Sequence, residues 1–200
     1  MKSETKIKQL LIALLGNCIL GFGIGMISQA RLGTDPVVSF SQAASMRLGF
    51  TLGQMITITN CVLLSVVFFV KRNNIGIATL IVVLLNQYPV DFIISIISYN
   101  DSLIINVLWI LLGILFIAIG CSTVMASKLG MGIYDAFVFG ITDRFNFNFL
   151  VVRYSCDSFF LLLTILLKGY VGIGTILSYL LLGTVIKFVK PRVNKIFKIS

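Results

Sequence analysis

Long apolar runs, separated by short polar breaks, extend along the chain from about residue 10 to residue 189. A transmembrane helix needs about 20 mostly apolar residues to cross roughly 30 Å of hydrocarbon. The pattern therefore predicts an all-α fold, a polytopic transmembrane helical bundle that forms a single membrane domain over 1–200 with no room for a soluble domain. Six spans are predicted, at about 10–30, 52–70, 76–97, 104–126, 148–167 and 172–189.

Two further segments, 33–49 and 130–146, are partly apolar but contain Ser, Asp, Arg and other polar residues. In the first, Asp35 precedes Pro36, which is a favourable helix start because a capping oxygen satisfies a free N–H and proline has none. Gly49 is expected to end this helix. Each segment is therefore predicted to form a short helix that is re-entrant, interfacial or a short crossing.

Composition and charge favour membrane spans over a soluble fold. The 200 residues are 58% hydrophobic and 12% charged, with a mean hydropathy of +1.05, whereas soluble domains average about 25% charged residues. The net charge is +9, but the basic residues cluster at the two termini, where they suit anionic headgroups of the lipid bilayer. No base-reading motif accompanies them, so no nucleic-acid partner is expected. The first apolar run is too long for the core of a signal peptide and is interpreted as a span.

The two halves of the chain resemble each other. A shift of 97 residues aligns glycine, basic and amide or acidic positions, and a one-residue deletion extends the alignment towards the end. Collinear matches of these types arise by chance less often than Leu–Ile matches. We therefore predict two internally repeated three-span units, 10–97 and 104–189. The aligned pairs include Gly16 with Gly113, Gly23 with Gly120, Arg47 with Arg144, Asn60 with Asp157 and Lys71 with Lys168.

The distribution of Lys and Arg predicts the orientation of the spans. With three spans per unit and a cytoplasmic N-terminus, 12 of the 16 basic residues face the cytoplasm and three face outside. If the short segments crossed the membrane, the division would be ten and five. The positive-inside rule favours the first arrangement, with both termini cytoplasmic. An odd number of spans per unit turns the second unit upside down relative to the first, which predicts an inverted repeat of the kind found in many transporters.

Ionisable residues within a predicted span are candidate functional residues, because a charge is costly there. Arg153 and Asp157 are four residues apart in the fifth span, so they share a helix face and can pair. Asp157 lies near the middle of this span, and the repeat aligns it with Asn60. These three residues are predicted to bind substrate near a pseudo-symmetric centre, unless they serve helix packing alone. Further polar groups on the same helices are Thr57, Tyr154 and Ser158.

The turns before the two short helices add further candidates for substrate binding. A helix N-terminus that points into a membrane cavity offers free N–H groups and a partial positive charge, which suits an anionic or polar ligand. The first turn contains Thr34 and Asp35. In the second turn Gly132 replaces the acidic residue, and Asp135 nearby is expected to supply it. The alternative is a capped turn at the level of the lipid headgroups.

No catalytic or metal-binding pattern is present in the sequence. The chain has no histidine, and its four cysteines lie far apart in apolar runs. No zinc, haem or iron–sulfur site and no other cofactor is therefore predicted. Because no nucleophile–base pair and no phosphate-binding motif is visible either, an enzyme is not expected.

A family resemblance rests on Leu-Gly-Thr-Asp-Pro at 32–36, Arg-Leu-Gly at 47–49 and Gly53. With these motifs the chain resembles the YczE/YyaS/YitT family of bacterial membrane proteins over nearly its whole length. The second unit departs from the pattern at 131–133, where Met-Gly-Ile stands, so equal roles for the two turns are not expected. The resemblance implies a multi-pass protein of the bacterial cytoplasmic membrane and implies little about activity.

Together these features predict a small transporter or permease with a midplane site formed by Asn60, Arg153, Asp157 and the short segments, and with an unidentified small-molecule substrate. Six spans are few for a carrier, so we expect a homodimer or an energising partner. The alternative is a non-transporting accessory or regulatory protein that binds another membrane protein or a lipid. A polar cavity reaching Asp157 would favour transport, and a dry, fully packed Asp157–Arg153 pair would favour the accessory role.

Overall fold

The fold is helical throughout the residues that the computed structural model describes, which are 2–72, 75–97 and 101–197, with side chains described from residue 6 onward. Six helical segments in this part of the chain are long and apolar enough to span a membrane, the third of them formed by α4 and α5 together. The predicted six-span helical bundle is therefore confirmed. The helices are α1 (Lys2–Gln29), α2 (Pro36–Leu48), α3 (Leu52–Lys71), α4 (Ile77–Leu85), α5 (Gln87–Ile96), α6 (Leu103–Ala126), α7 (Ile133–Phe145), α8 (Phe149–Leu166) and α9 (Ile173–Ile196).

Large apolar side chains cover the outer faces of the spans. Phe69, Ile104 and Leu166 are 81%, 73% and 67% exposed. In a soluble protein so many exposed apolar side chains would be unusual, whereas they are expected where lipid tails are the solvent. The buried apolar side chains gather mainly around α1 and α6, with contributions from α4 and α9.

The last helix is longer than predicted. α9 continues to Ile196, with Pro191 inside it, whereas the predicted span ends at residue 189. The apolar run stops there, but a helix does not have to end at the membrane surface. Pro191 removes one main-chain hydrogen bond and crowds the preceding turn, but the helix continues past it, and Val193 beyond it is buried. The final turns therefore extend the helix beyond the apolar segment.

The two short helices form where the sequence predicts them. Asp35 caps α2, and its carboxylate accepts two backbone N–H bonds, with Pro36 at the first helical position. α2 ends at Gly49, which has φ 75°, a left-handed conformation that glycine adopts without a Cβ clash. α7 starts after Gly132 without a side-chain cap and ends at Asn146, which has φ 53°.

Both short helices point their N-terminal ends into the bundle. Residues 36–39 of α2 are buried, whereas Met46 near its end is 78% exposed. Ile133 and Asp135 at the start of α7 are buried, whereas Phe145 at its end is 55% exposed. This gradient from buried start to exposed end favours the re-entrant alternative over the interfacial one.

The third span, predicted over 76–97, is one apolar helical segment in which Asn86 separates α4 from α5. The backbone of Asn86 stays in the helical region, with φ −66° and ψ −23°. The main-chain hydrogen-bond ladder is interrupted here because Pro89, in the first turn of α5, has no N–H to donate. Asn86 is thereby held in the interior of the bundle, 2% exposed.

α1 and α6 pack tightly in antiparallel orientation at the centre of the bundle. A Cβ atom at Gly16 would lie 2.7 Å from the backbone nitrogen of Val124, and one at Gly23 would lie 2.7 Å from the carbonyl oxygen of Gly113. Glycine is therefore required for this close approach of the two backbones. Because higher residue numbers in α1 meet lower ones in α6, the two helices run in opposite directions.

Contacts between the two halves of the chain occur in matching pairs. α2 packs on α8, and α7 packs on α3. The carbonyl oxygen of Leu32 accepts a hydrogen bond from Gly174 N at 2.7 Å, and that of Leu129 accepts one from Ala78 N at 3.0 Å. Leu32 and Leu129 are related by the 97-residue shift. Each unit therefore inserts its short helix against the other unit.

The arginines near the ends of the short helices form a second matching pair. Arg47 Nε donates to the carbonyl oxygen of Leu167, at 2.9 Å, and Arg144 Nη1 donates to that of Phe69, at 3.3 Å. Each guanidinium thus binds carbonyl groups at the C-terminal end of a span in the other unit, where cations are favoured. Reciprocal contacts between antiparallel helices support the predicted inverted repeat.

Candidate functional site

A cavity of about 90 Å³ lies at the centre of the bundle. All six candidate spans and both short helices contribute to its wall. Most of the lining residues fall into pairs that the predicted repeat would relate. These pairs are Leu20 with Ile117, Ile24 with Cys121, Asp35 with Gly132, Val37 with Tyr134, Val38 with Asp135, Ile56 with Arg153 and Asn86 with Leu182.

Arg153 is the centre of a buried ion-pair network in this wall. Its Nη1 lies 3.2 Å from Asp135 Oδ1, and its Nε lies 3.8 Å from Asp157 Oδ2; no side chain of the three is more than 7% exposed. The hydroxyl of Tyr134 donates to Asp157 Oδ1, and the Tyr134 ring centroid lies 5.4 Å from Arg153 Cζ. The predicted contact between Arg153 and Asp157 is present, but Asp135 is the closer partner.

The network is assembled from α7 and α8. Arg153 and Asp157 lie one turn apart on α8, which places them on one face. Asp135 lies in the first turn of α7, where the partial positive charge of the helix N-terminus favours a carboxylate. An arginine suits this position because its planar guanidinium can serve two acceptors at once. Removing Arg153 would leave two carboxylates without their cation in the interior.

Asp35 faces this network from the first unit. Its Oδ1 accepts hydrogen bonds from Val37 N at 3.2 Å and Val38 N at 3.4 Å. The side chain is half-buried and lines the cavity, and it lies close enough to interact electrostatically with Arg153 and Asp157. The structure thus places a carboxylate, held at an inward-pointing helix N-terminus, opposite the charged wall of the second unit.

The other predicted site residues divide into two groups. Asn60 lines the cavity. Thr34 is buried behind the wall, and its hydroxyl lies 2.8 Å from that of Ser39. Asp157 is also set back from the cavity, behind Arg153 and Tyr134. The cavity wall is thus mostly apolar with a few polar groups, and Asp157 lies behind it, so the site meets neither predicted extreme.

The polar neighbours expected from sequence lie outside the cavity wall. Tyr154 and Ser158 both contact Tyr179, with the two rings 5.1 Å apart and the two hydroxyls 3.4 Å apart. Thr57 donates to the carbonyl oxygen of Gly53 in its own helix, at 3.1 Å. Each of the three follows directly after an inward-facing residue, and a step of one residue rotates a side chain by about 100° around the helix. These three residues lie on the same helices as the candidate residues, as noted from the sequence, but outside the cavity wall.

Two residues of the site were not anticipated. Tyr134, next to Asp135, is a hydrogen-bond donor to the network. Asn86 lines the cavity, and its amide oxygen accepts no hydrogen bond in the structure. The sequence signal for Asn86 was the polar interruption of an apolar run three residues before Pro89. Tyr134 had no signal beyond its adjacency to a candidate acid.

Metal-binding side chains are not clustered in the part of the chain that the structure describes. No group of three or more His, Cys, Asp or Glu residues is arranged there to hold a metal ion. The polar groups that line the cavity are carboxylates, amides, one guanidinium, one phenol, one hydroxyl and one thiol, among mostly apolar side chains.

The fold and the site together define a class: a polytopic helical membrane protein with a central cavity and two short helices whose N-terminal ends are buried beside it. Comparison with known proteins agrees with this class and specifies it further. The chain belongs to the family of unknown function DUF6198, whose model matches residues 7–191. The expected relation to YczE- and YyaS-type proteins is confirmed.

Three relatives are similar over most of their length. An uncharacterized protein of Haemophilus influenzae is 29% identical over 181 residues, which cover 90% of this chain and 83% of the relative. The uncharacterized protein YyaS of Bacillus subtilis is 26% identical over 92% of both chains. The uncharacterized membrane protein YczE of the same organism is 25% identical over 88% of this chain and 83% of the relative. No solved structure matches the chain.

Proposed function

We propose that the protein is a small permease of the bacterial cell membrane that alternates access to its central cavity, with both termini in the cytoplasm. Its substrate is a small solute that remains to be identified. The observation that carries the proposal is the buried network of Arg153, Asp135 and Asp157, of which Arg153 and Asp135 line a cavity formed by all six candidate spans.

The charges of the network are not needed for this kind of helix packing. Insertion scales put the cost of one charged side chain at a bilayer centre at about 2.5–3.5 kcal/mol. The first unit builds the equivalent part of its fold with far less charge, so the charged version in the second unit supports a functional role. The equivalent residues of the first unit are Val38, Ile56 and Asn60.

A second cavity on the other side of α2 supports alternating access. This cavity, of about 480 Å³, is lined by Gly33, Ser39, Gln42 and residues near the end of α1. Val38 lines the central cavity and Ser39 lines this outer one, so one turn of α2 separates them. The hydrogen bond between Ser39 and Thr34 holds that turn in place. In the proposed cycle α2 moves to join the two cavities, and α7 has the same role on the opposite side.

The test is a thermal-shift screen of small solutes on the purified protein, followed by uptake of stabilising solutes into proteoliposomes. In Asp157→Asn, the amide oxygen can still accept from Tyr134, and Arg153 keeps Asp135. We therefore expect a Tm within a few degrees of wild type and loss of uptake. Asp143→Asn is the matched control, because Asp143 is an exposed carboxylate paired with Lys71, and its uptake should be unchanged.

Other outcomes would contradict the proposal. Loss of folded protein in Asp157→Asn would assign the residue to folding. A membrane protein that copurifies in fixed stoichiometry, together with no stabilising solute, would favour the accessory role. Because six spans are few for a carrier, the proposal includes a homodimer or an energising partner, and the mass of the detergent-solubilised complex distinguishes the two.

A further inference from the structure

We propose that the C-terminal end of α9 binds the phosphate of an anionic phospholipid. The site is a groove of about 230 Å³ at the point where the apolar run of the last span ends. It is separate from the central cavity and does not depend on the permease activity. The groove is lined by Lys187, Phe188, Pro191, Arg192 and Lys195.

The groove lies on the side of α9 that faces away from the bundle. Val193 is buried, and Pro191 and Lys195 each lie two residues from it, which corresponds to a rotation of about 200° around the helix. Lys190 places its Nζ 5.4 Å from the ring centroid of Phe139 in α7. These contacts hold the end of α9 on the bundle, so the groove is presented to the lipid and water around the protein.

The face of α9 that carries the groove changes from apolar to basic along the helix. Leu181 and Phe188 are 36% and 62% exposed, and they lie seven residues, or about two turns, apart on this face. Beyond Phe188 the same face presents Arg192 and Lys195. A phospholipid has the same order, acyl chains followed by a phosphate. A lipid lying along α9 would therefore bring its phosphate to the basic end of the helix.

The cations of the groove are not neutralised by acidic residues of the described chain. Residues 187–200 include no Asp or Glu, and within the described residues Lys187, Arg192 and Lys195 form no ion pair. Arg192 Nη1 donates to the carbonyl oxygen of Phe188 at 3.1 Å, which leaves other N–H groups of the guanidinium for a second acceptor. Like charges on neighbouring turns repel each other. A phosphate accepts hydrogen bonds from both arginine and lysine and would relieve this repulsion.

A simpler interpretation assigns these cations only to the orientation of the span and to the partial negative charge at the helix end. Scattered cations would serve both purposes without a groove or an exposed aromatic ring. Phe188 adds an apolar contact that a free phosphate cannot use and that an acyl chain can. A zwitterionic phospholipid has its own cation beside the phosphate, and the groove would repel that cation. An anionic phospholipid is therefore the occupant that fits both the charge and the apolar contact.

The test measures which lipids the purified protein retains in native mass spectrometry, with equal amounts of phosphatidylglycerol and phosphatidylcholine of matched acyl chains. We expect phosphatidylglycerol to be retained preferentially. In the double variant Arg192→Gln/Lys195→Gln its affinity should fall about 30-fold, because each cation near the lipid phosphate contributes roughly fivefold. The charge-conserving variant Arg192→Lys/Lys195→Arg should stay within a few-fold of wild type. The matched control Lys6→Gln/Lys8→Gln removes two exposed cations from the other terminus and should bind as wild type does.

The wild-type protein alone decides the question if the double variant does not fold. Equal retention of the two lipids would overturn the site, because apolar contacts with the bilayer would then explain the binding. An equal loss of affinity in Lys6→Gln/Lys8→Gln would also overturn it, since net charge would then attract the lipid without the groove. Displacement of phosphatidylglycerol by inorganic phosphate would assign the groove to a free anion. Preferential lipid binding without any uptake in proteoliposomes would contradict only the permease.

Discussion

Replacing the charged triad of the second unit by the residues of the first unit should separate folding from function. The variant combines Asp135→Val, Arg153→Ile and Asp157→Asn. Each substitution introduces the side chain that the first unit has at the position aligned by the predicted repeat. The residues that supply the substitutions are Val38, Ile56 and Asn60.

The magnitudes follow from the burial of the network. Arg153→Ile alone leaves Asp135 and Asp157, which are 4% exposed, without their cation, and breaking a buried ion pair in this way costs about 3–5 kcal/mol. For a chain of this length, 1 kcal/mol corresponds to about 2–4 °C in Tm, so a fall of roughly 6–20 °C is expected. Replacing a whole buried network by well-packed groups is neutral or stabilising by about 1–4 kcal/mol. The triple variant should therefore melt at or above the wild-type Tm.

The assay is thermal unfolding of wild type, Arg153→Ile and the triple variant in one detergent, followed by the uptake assay in proteoliposomes. We expect the triple variant to fold and to transport nothing. A triple variant less stable than Arg153→Ile would refute the reasoning, because the charges would then stabilise the fold by more than their mutual neutralisation. A stable triple variant with intact uptake would show that the network is not part of the transport site.

Two further predictions concern backbone geometry and topology. Gly49→Ala should lower the free energy of unfolding by about 1–2 kcal/mol, because φ is +75° and no atom lies near a new Cβ, so only left-handed backbone strain remains. Gly33→Ala should lower it clearly more, because φ is +97° and Gly172 N would lie 2.8 Å from the new Cβ. Equal losses of Tm in the two variants would contradict this account. Leu48 and Phe145 are 60% and 55% exposed and are aligned by the predicted repeat. In a cysteine-free background, Leu48→Cys should react with an impermeant maleimide in intact cells, and Phe145→Cys should react only after permeabilisation. Labelling of both variants from the same side would rule out an inverted arrangement.

The spans and the first short helix could be predicted because their causes are local. Bilayer thickness fixes the length of an apolar run, and Asp35 with Pro36 defines a helix start within a few residues. The spacing of four residues likewise predicts the contact between Arg153 and Asp157. The closer contact with Asp135 could not be predicted, because it depends on how α7 packs against the rest of the bundle.

The interruption of the hydrogen-bond ladder at Asn86 could not be predicted from the sequence either. Proline is tolerated within membrane helices when neighbouring groups compensate for the lost hydrogen bond, so Pro89 alone does not predict where a span is interrupted. The pairing of cavity positions, by contrast, follows from the repeat once the fold is known. Sequence similarity between the halves therefore indicates which positions line the cavity. The differences between the halves indicate which side chains give the cavity its polar and charged groups.

The two proposed gates are not equivalent, and this has a consequence for the cycle. α2 begins with an aspartate cap and a proline, whereas α7 begins after Gly132 with no side-chain cap. Replacing a good N-cap residue by alanine costs about 1 kcal/mol, and replacing it by glycine costs only a few tenths. The N-cap residues alone therefore hold the start of α7 no more firmly than the start of α2. What holds α7 instead is the bond of Asp135 to Arg153 and that of Tyr134 to Asp157. The first turn of α7 is therefore coupled to the charge of the cavity through the ion pair of Asp135 with Arg153. The first turn of α2 is held by the local bond between Thr34 and Ser39 and by its cap Asp35, which also lines the cavity. In the proposed cycle, charge in the cavity would act on α2 through its helix cap and on α7 through an ion pair with α8, so occupancy of the site would reach the two sides of the membrane by different contacts.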